Sequence, residues 1–429
     1  MQYKYLITVS DDIVDYLGAS VDMPLFYSND YVRCDFNNGF RILFRDTTLT
    51  YKIIIVDKNT RCVYHEQEIK PEAEVIYVYP RRYYVEYEVV VLRKIDEGVY
   101  DSKPLSVVTY NPDNKDILFL LSNEERAGLG DCIAWLTAVY KFKVEHPTTN
   151  IFVCTEYEDL NNLIREHYDC FNFIRYKDIN NHKMYATYLI GCFYKDPLNM
   201  WCPRSYRELS LVEIGYAILG LEFDKHFSLN LNKPYEENKP YVCIATHGSS
   251  IYKEWLFKDG WEKVIDYLSL CGYRVYIIDA EQENSQGYLF KTNIPKNAIN
   301  KTGYLSLSER AKLISGADFF IGISSGLSWL SWACRTPTIL ISGFTNPITE
   351  FYTPYRVINA GVCNSCWNDV SIEWDMTNTV CPKHRNPFST DFLECSTKIS
   401  PYAVINAIKR VMRDINDYSR ENTNRCECE

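Results

Sequence analysis

The pattern of apolar and polar positions changes character twice along the chain. Up to about residue 112, apolar side chains come in two-residue alternation or short β-branched and aromatic runs. YKIIIVDKNTRCVYHEQEI reads as two strands around an Asp57–Thr60 turn, RRYYVEYEVVVLRKI as a further strand, and no helical period is present. At Asp116 the pattern becomes a continuous apolar strand (KDILFLLS), a glycine turn (GLGD) and a helical period (CIAWLTAVYKFKVEHP), and NIFVCTE and EDLNNLIREHY repeat that order. A polar stretch with two prolines, Asn230–Pro240, reads as a linker. Beyond it the alternation restarts with PYVCIAT, KDGWEKVIDYLSLCGY, RVYIIDAE, LSLSERAKLISGA, DFFIGIS, SGLSWLSWACR and TPTILISG. Ser306 and Glu309 form an S-x-x-E capping box at one of these helix starts. Residues 361–396 are irregular and carry cysteines, and SPYAVINAIKRVMRDINDY is a closing amphipathic helix.

Strands alternating with helices predict parallel sheets covered on both faces, hence an α/β chain. The expected organisation is an all-β N-terminal domain at 1–112, built as a small barrel or sandwich, and a first doubly wound, Rossmann-like half at 113–232. A second such half is expected at 233–360, a cysteine-bearing segment at 361–398, and a C-terminal helix and tail at 399–429. Ligands of such folds sit in the cleft at the carboxyl ends of the strands.

Composition narrows the function classes. With 429 residues, 46% hydrophobic and 24% charged, the chain can bury a core and is not disordered. Its net charge of -10 argues against nucleic acid or an anionic membrane as partner. Met1–Ser10 reads as a strand without an apolar leader core, and no stretch reaches the roughly 20 apolar residues that span a bilayer. The expected location is therefore the cytoplasm. In that reducing compartment, scattered cysteines such as Cys154, Cys243 and Cys334 read as small buried hydrophobes.

Four constellations carry candidate chemistry. Gly128, Gly130 and Asp131 lie between a strand and a helix, where glycines admit a ligand to the backbone and the helix start favours an anion. Asp131 is either a first-turn helix acid or a general base facing the cleft, with Glu124 and Glu125 as alternative carboxylates. Thr246-His247-Gly248-Ser249-Ser250 followed by Lys253 suits a diphosphate. Gly322-Ile323-Ser324-Ser325-Gly326 matches the G-x-S-x-G elbow of α/β-hydrolases, with Ser324 as nucleophile, or is a helix start that binds phosphate. The elbow lacks a suitable partner, because His384 is the sole histidine after Gly326 and stands three residues from Cys381. Finally, Cys363, Cys366, Cys381 and Cys395 form C-x2-C-x14-C-x13-C, a thiolate set for tetrahedral zinc or iron in a segment with little apolar periodicity of its own.

In this order the motifs resemble the bacterial autotransporter heptosyltransferase family, itself similar to the lipopolysaccharide heptosyltransferases of GT-B fold. The most specific features are SNEERAGLGDCIAW, ISSGLSWLSWA, SGFTNP and the four-cysteine finger before a final helix, within roughly residues 40–415. The lipopolysaccharide enzymes lack the finger and generally carry Asp-Thr-Gly where this chain has Ser324-Ser325-Gly326.

The resemblance implies an inverting protein O-glycosyltransferase that moves heptose from ADP-heptose to serine hydroxyls of an autotransporter adhesin. It implies one structural iron per chain (zinc being the alternative) and a high-order homo-oligomer. It also makes Asp131 the base and Lys253 the lysine on the donor phosphates. Thr246 falls in the donor loop, Ser325 and Gly326 at the phosphate-facing helix start, and Phe344 and Thr345 beside the adenine. Asp279 or Glu281 is expected on the ribose hydroxyls. Two other classes stay open: a serine esterase built on Ser324, and a non-catalytic, metal-stabilised scaffold that binds the adhesin.

Overall fold

A computed structural model describes residues 3–5, 27–37, 39–71, 76–121, 127–193, 196, 198–233, 235, 240–281, 283–285, 291–372, 381–384, 386 and 388–426. The expected alternation is present. Helix α1 (Leu129–Glu145) follows strand Asp116–Leu120, and α2 (Glu158–Arg165) follows Asn150–Cys154. Helix α3 (Leu211–Ile218), absent from the sequence reading, begins with a Ser210–Glu213 capping box and packs on α1, where Gly215 leaves room for Ala138.

In the second half the helices are α4 (Gly260–Leu270), α5 (Leu307–Ser315) and α6 (Gly326–Ala333). Helix α5 carries the expected cap, with Ser306 N–H donating to Glu309 at 2.7 Å. The short α7 (Glu394–Thr397) and the long α8 (Pro401–Cys426) follow. No helix among the described residues is long and apolar enough to cross a membrane.

The second half is a sheet of six parallel strands in the order Ile299–Asn300, Arg274–Ile277, Tyr241–Ile244, Phe319–Ile323, Thr338–Ile341 and Arg356–Val357. Helices α4 and α8 close one face around Val264, Ile265, Val404 and Ile408.

The first half departs from expectation. Its parallel strands run Phe171–Ile174, Asn150–Cys154, Asp116–Leu120 and Ala186–Leu189, and the sheet continues beyond the last of them. Ala186–Leu189 pairs in parallel with Val32–Asn37, and antiparallel Phe40–Phe44 and Ile76–Tyr79 extend the sheet further. The Asn37 side chain secures this junction, accepting from Thr187 Oγ1 at 2.8 Å and donating to Met184 O at 2.7 Å. The β-only region is therefore not a free-standing barrel or sandwich. One of its sheets is the edge of the first half, and a second sheet, ordered Ser106–Thr109, Tyr87–Asp96, Tyr51–Asp57, Val63–Ile69, belongs to that region alone.

One hydrophobic cluster runs through both halves. It joins Phe40 and Tyr87 of the β-region to Ile117 and Leu136 of the first half, and to Phe320, Leu330 and Ala333 of the second. The halves meet where α1 and α6 start. A Cβ on Gly130 would overlap the Trp329 ring, and a Cβ on Gly326 would stand 2.9 Å from Leu129 Cβ. Each glycine is thus the space into which the other helix fits. Gly130→Ala should destabilise the fold by about 1–3 kcal/mol through overpacking. A lower denaturant midpoint with an unchanged slope is the expected result; an unchanged midpoint would show that Trp329 moves aside freely.

Candidate active site

The carboxyl ends of both sheets open onto the seam between α1 and α6. Asp131 is the third residue of α1, and its Oδ2 accepts the Gly128 N–H at 2.8 Å. This is the first-turn acid role, which leaves Oδ1 available for other chemistry. Glu124 and Glu125 lie outside the described residues. Burial raises the Asp131 pKa, against the pull of Lys253 and the Gly128 N–H, which lower it. The Lys253 influence is the informative part. Lys253 belongs to the second half and Asp131 to the first, so the two expected functional groups lie close enough across the seam for the lysine charge to act on the carboxylate. Cys192, beyond strand Ala186–Leu189, is also near Asp131, whose charge adds to burial in raising its thiol pKa.

Lys253 sits in a short turn after strand Tyr241–Ile244, half-buried, with Nζ donating to Ser249 Oγ at 3.1 Å. The loop before it is shaped by Asp279. Asp279 Oδ2 accepts Thr246 N–H at 2.8 Å and Thr246 Oγ1 at 3.1 Å, and Oδ1 accepts His247 N–H at 3.1 Å. Asp279 is 2% exposed, and both its oxygens are engaged inside the protein, so it does not serve as a ribose ligand. Glu281, exposed two residues later, keeps that role open. Asp279→Ala should leave three donors unpaired, each costing about 1–3 kcal/mol. The expected outcome is a markedly lower unfolding midpoint, with Glu281→Ala neutral. A stable Asp279→Ala protein that has lost only ADP affinity would return Asp279 to the ribose.

Helix α6 starts at Gly326 after Ser325, whose backbone is extended as in a capping residue but whose hydroxyl makes no cap. Ser325 Oγ is buried without a hydrogen-bond partner among the described residues. Serines normally satisfy first-turn N–H groups at this position, as Ser210 and Ser306 do for α3 and α5. Here the Ser328 N–H donates to the Ser325 carbonyl instead, at 3.1 Å, and a helix start without a side-chain cap suits an anion at the Gly326 and Leu327 N–H groups. The elbow reading fails on geometry, because Ser324 Oγ donates to Glu350 Oε1 at 2.6 Å and no histidine is bonded to Ser324 among the described residues. Phe344 and Thr345 are not an adenine-flanking surface either. Phe344 is buried against Tyr252 and Trp367, at ring distances of 4.5 and 6.0 Å, and Thr345 is buried with its hydroxyl on Glu350.

The cysteine segment packs on both halves. Its own small core joins Cys366, Cys381, Phe392 and Leu393 to Ile251, Tyr252 and Phe344. Arg207 of the first half donates to Asp369 O at 2.6 Å and Ile372 O at 2.7 Å, and Asn368 Nδ2 donates back to Arg207 O at 2.8 Å. The four thiols are neighbours. Burial and the nearby thiols push Cys366 and Cys395 up to about 12, and the His384 N–H donates to Cys381 Sγ at 3.3 Å. Soft thiol donors with an N–H on sulfur suit iron or zinc. Among the described residues, however, no three His, Cys, Asp or Glu are gathered tightly enough to hold a metal ion, and residues 373–380 of this segment lie outside them.

Two halves built on parallel strands, meeting at a seam between paired helix starts, give this chain the GT-B-like fold of a glycosyltransferase. The profile of glycosyltransferase family 9 (heptosyltransferase) matches residues 214–379. The chain is 32% identical over 402 residues to the autotransporter heptosyltransferase Aah of Escherichia coli, covering 93% of this chain and 98% of Aah, and it belongs to the autotransporter heptosyltransferase family. The crystal structure of the iron-containing dodecameric glycosyltransferase TibC from enterotoxigenic E. coli superposes with a TM-score of 0.82 at 30% identity, covering 92% of this chain and 99% of that one. TibC in complex with ADP-D-beta-D-heptose matches with the same TM-score and coverage at 29% identity. BimC of Burkholderia thailandensis, described as an inactive autotransporter heptosyltransferase, is 29% identical over 399 residues, covering 92% of this chain and 88% of BimC.

Proposed function

We propose that this chain transfers heptose from ADP-heptose to serine hydroxyls of an autotransporter adhesin, with inversion, in the cytoplasm and as a high-order homo-oligomer. The observation that carries this reading is the meeting of the α1 and α6 starts at one seam, with Asp131 in the first turn of α1 and the Lys253 loop packed beside Ile323 at the strand end that precedes α6. The Asp131 carboxylate takes the proton of the acceptor serine as its oxygen bonds to the anomeric carbon. The bond from that carbon to the phosphate oxygen breaks, and its electron pair leaves on ADP. Lys253, the first-turn N–H groups of α6 and the Ser325 hydroxyl receive the charge that builds on the diphosphate. Thr246, held by Asp279, lines the donor loop, and Glu281 meets the ribose. The chemistry is proton transfer and charge stabilisation by side chains and backbone.

Intact-mass measurement of an adhesin co-expressed with the enzyme tests the assignment; it should show one heptose added per modified site. Asp131→Asn keeps an acceptor for the Gly128 N–H, so the variant should fold and bind ADP while transfer falls about 10²- to 10⁴-fold. Because the folded Asp131 pKa is raised, activity should be lost on acidification at a higher pH than for an ordinary carboxylate. Lys253 lowers that pKa, so Lys253→Ala should move the acid limb to still higher pH and weaken ADP binding. Asp131→Asn transferring at near wild-type rate would make Asp131 a turn residue only.

Cys363, Cys366, Cys381 and Cys395 would hold one iron per chain, with zinc the alternative, as a structural cross-link for a segment with a small core. Metal binding there would be coupled to local folding. Cys366→Ser should therefore lose the metal and dissociate the oligomer, read by elemental analysis and light scattering; native protein without iron or zinc would remove the metal from this account. The inactive relative favours a second reading, a non-catalytic scaffold that binds the adhesin. An unmodified adhesin, recovered in complex with the chain, would establish it.

A further inference from the structure

A buried carboxylate that no motif singled out ties the donor-side loops together. Glu350 is 4% exposed and lies in the irregular stretch after strand Thr338–Ile341. Its Oε1 accepts both the Ser324 hydroxyl and the Thr345 hydroxyl, each at 2.6 Å, and its Oε2 pairs with Arg356 Nη1 at 2.6 Å. Arg356 Nη2 donates to Thr345 O and Thr345 Oγ1, both at 3.1 Å. Thr345 Oγ1 is also 2.9 Å from Ser342 Oγ.

Ser324 ends one strand of the second sheet, Ser342 and Thr345 follow its neighbour, and Arg356 begins the next. One carboxylate thus fixes the loops of adjacent strands at the edge where ligands of open α/β sheets sit. It does so immediately before Ser325 and the uncapped start of α6. A buried carboxylate with three charge-assisted or hydroxyl contacts is demanding to desolvate, and simple packing of the loops would not need it.

We infer that Glu350 is a positioning residue for the donor: through Ser324 it sets the direction of the Ser325 hydroxyl and the α6 first-turn N–H groups toward the diphosphate. This rests on the donor assignment proposed above. Glu350 touches no reacting atom in this scheme. The Arg356 ion pair holds the carboxylate, and the carboxylate holds Ser324.

The test is a double-mutant cycle on ADP affinity, measured by calorimetry with full-length wild type, Glu350→Gln, Ser324→Ala and the double variant. Action through Ser324 requires coupling, so each single variant should weaken ADP binding about tenfold and the double variant no further than the weaker single. A purely structural Glu350 would lower thermal stability without such coupling. Additive losses, or unchanged ADP affinity in a folded Glu350→Gln, would overturn the inference. Should Glu350→Gln fail to fold, Ser324→Ala decides alone: weakened ADP binding supports the inference and unchanged binding overturns it. Wild-type protein that does not bind ADP would instead refute the donor assignment itself.

Discussion

Everything at the site depends on how closely α1 and α6 approach start to start. Two positions without side chains, Gly130 and Gly326, receive Trp329 and Leu129 from the opposite helix. That interlock brings the positive ends of two helices to one seam and sets Asp131 within reach of Lys253's charge. It also opposes itself electrostatically. The burial that brings the halves together raises the Asp131 pKa, and the lysine and the Gly128 N–H pull it back down in part. The approach is steric in origin, but its result is an electrostatic setting.

The elements were legible wherever a period was long and local. The strand–turn–helix units, the Asp57–Thr60 hairpin and the Ser306–Glu309 cap all follow from neighbouring residues. Helix α3 was legible too, since Ser210 and Glu213 carry the same S-x-x-E signal, but its eight residues are too short to display a clear period. Pairing between distant strands left no local trace, so the joining of the β-region to the first sheet was invisible. Site residues divide along the same line. Asp131 and Lys253 stand in motifs that motif-based resemblance carries well. Asp279 looks the same in sequence whether its carboxylate meets a ribose or the backbone of a neighbouring loop, and only the observed bonds to Thr246 and His247 decide. Phe344, placed beside the adenine by resemblance alone, is enclosed by Tyr252 and Trp367, from segments far apart in the chain. Glu350 and Cys192 had no motif at all.

The cysteine segment and the shared core limit how the halves can move. Large apolar contacts between domains suppress the relative motion that small polar ones allow. Here one cluster spans the β-region and both halves, and Arg207 fastens the cysteine segment of one half to the other through backbone carbonyls. The halves are therefore held together at the seam, and the state of the cysteine segment is felt in both of them.

The sheet that runs from the β-region into the first half also imposes an order on synthesis. Asn37 finds its partner Thr187 only 150 positions later, so one end of strand Val32–Asn37 waits for that part of the chain. Tyr27–Ser28 pairs with that strand at Arg33 and Cys34, but its Phe36–Asn37 end has no strand beside it until the first half is complete, the condition under which nascent chains pair wrongly with one another. Such long sequence separation slows folding in proportion to the loop that must close. The β-region is thus finished by the first half, and a nascent chain stalled before residue 187 would leave the Phe36–Asn37 part of that edge open.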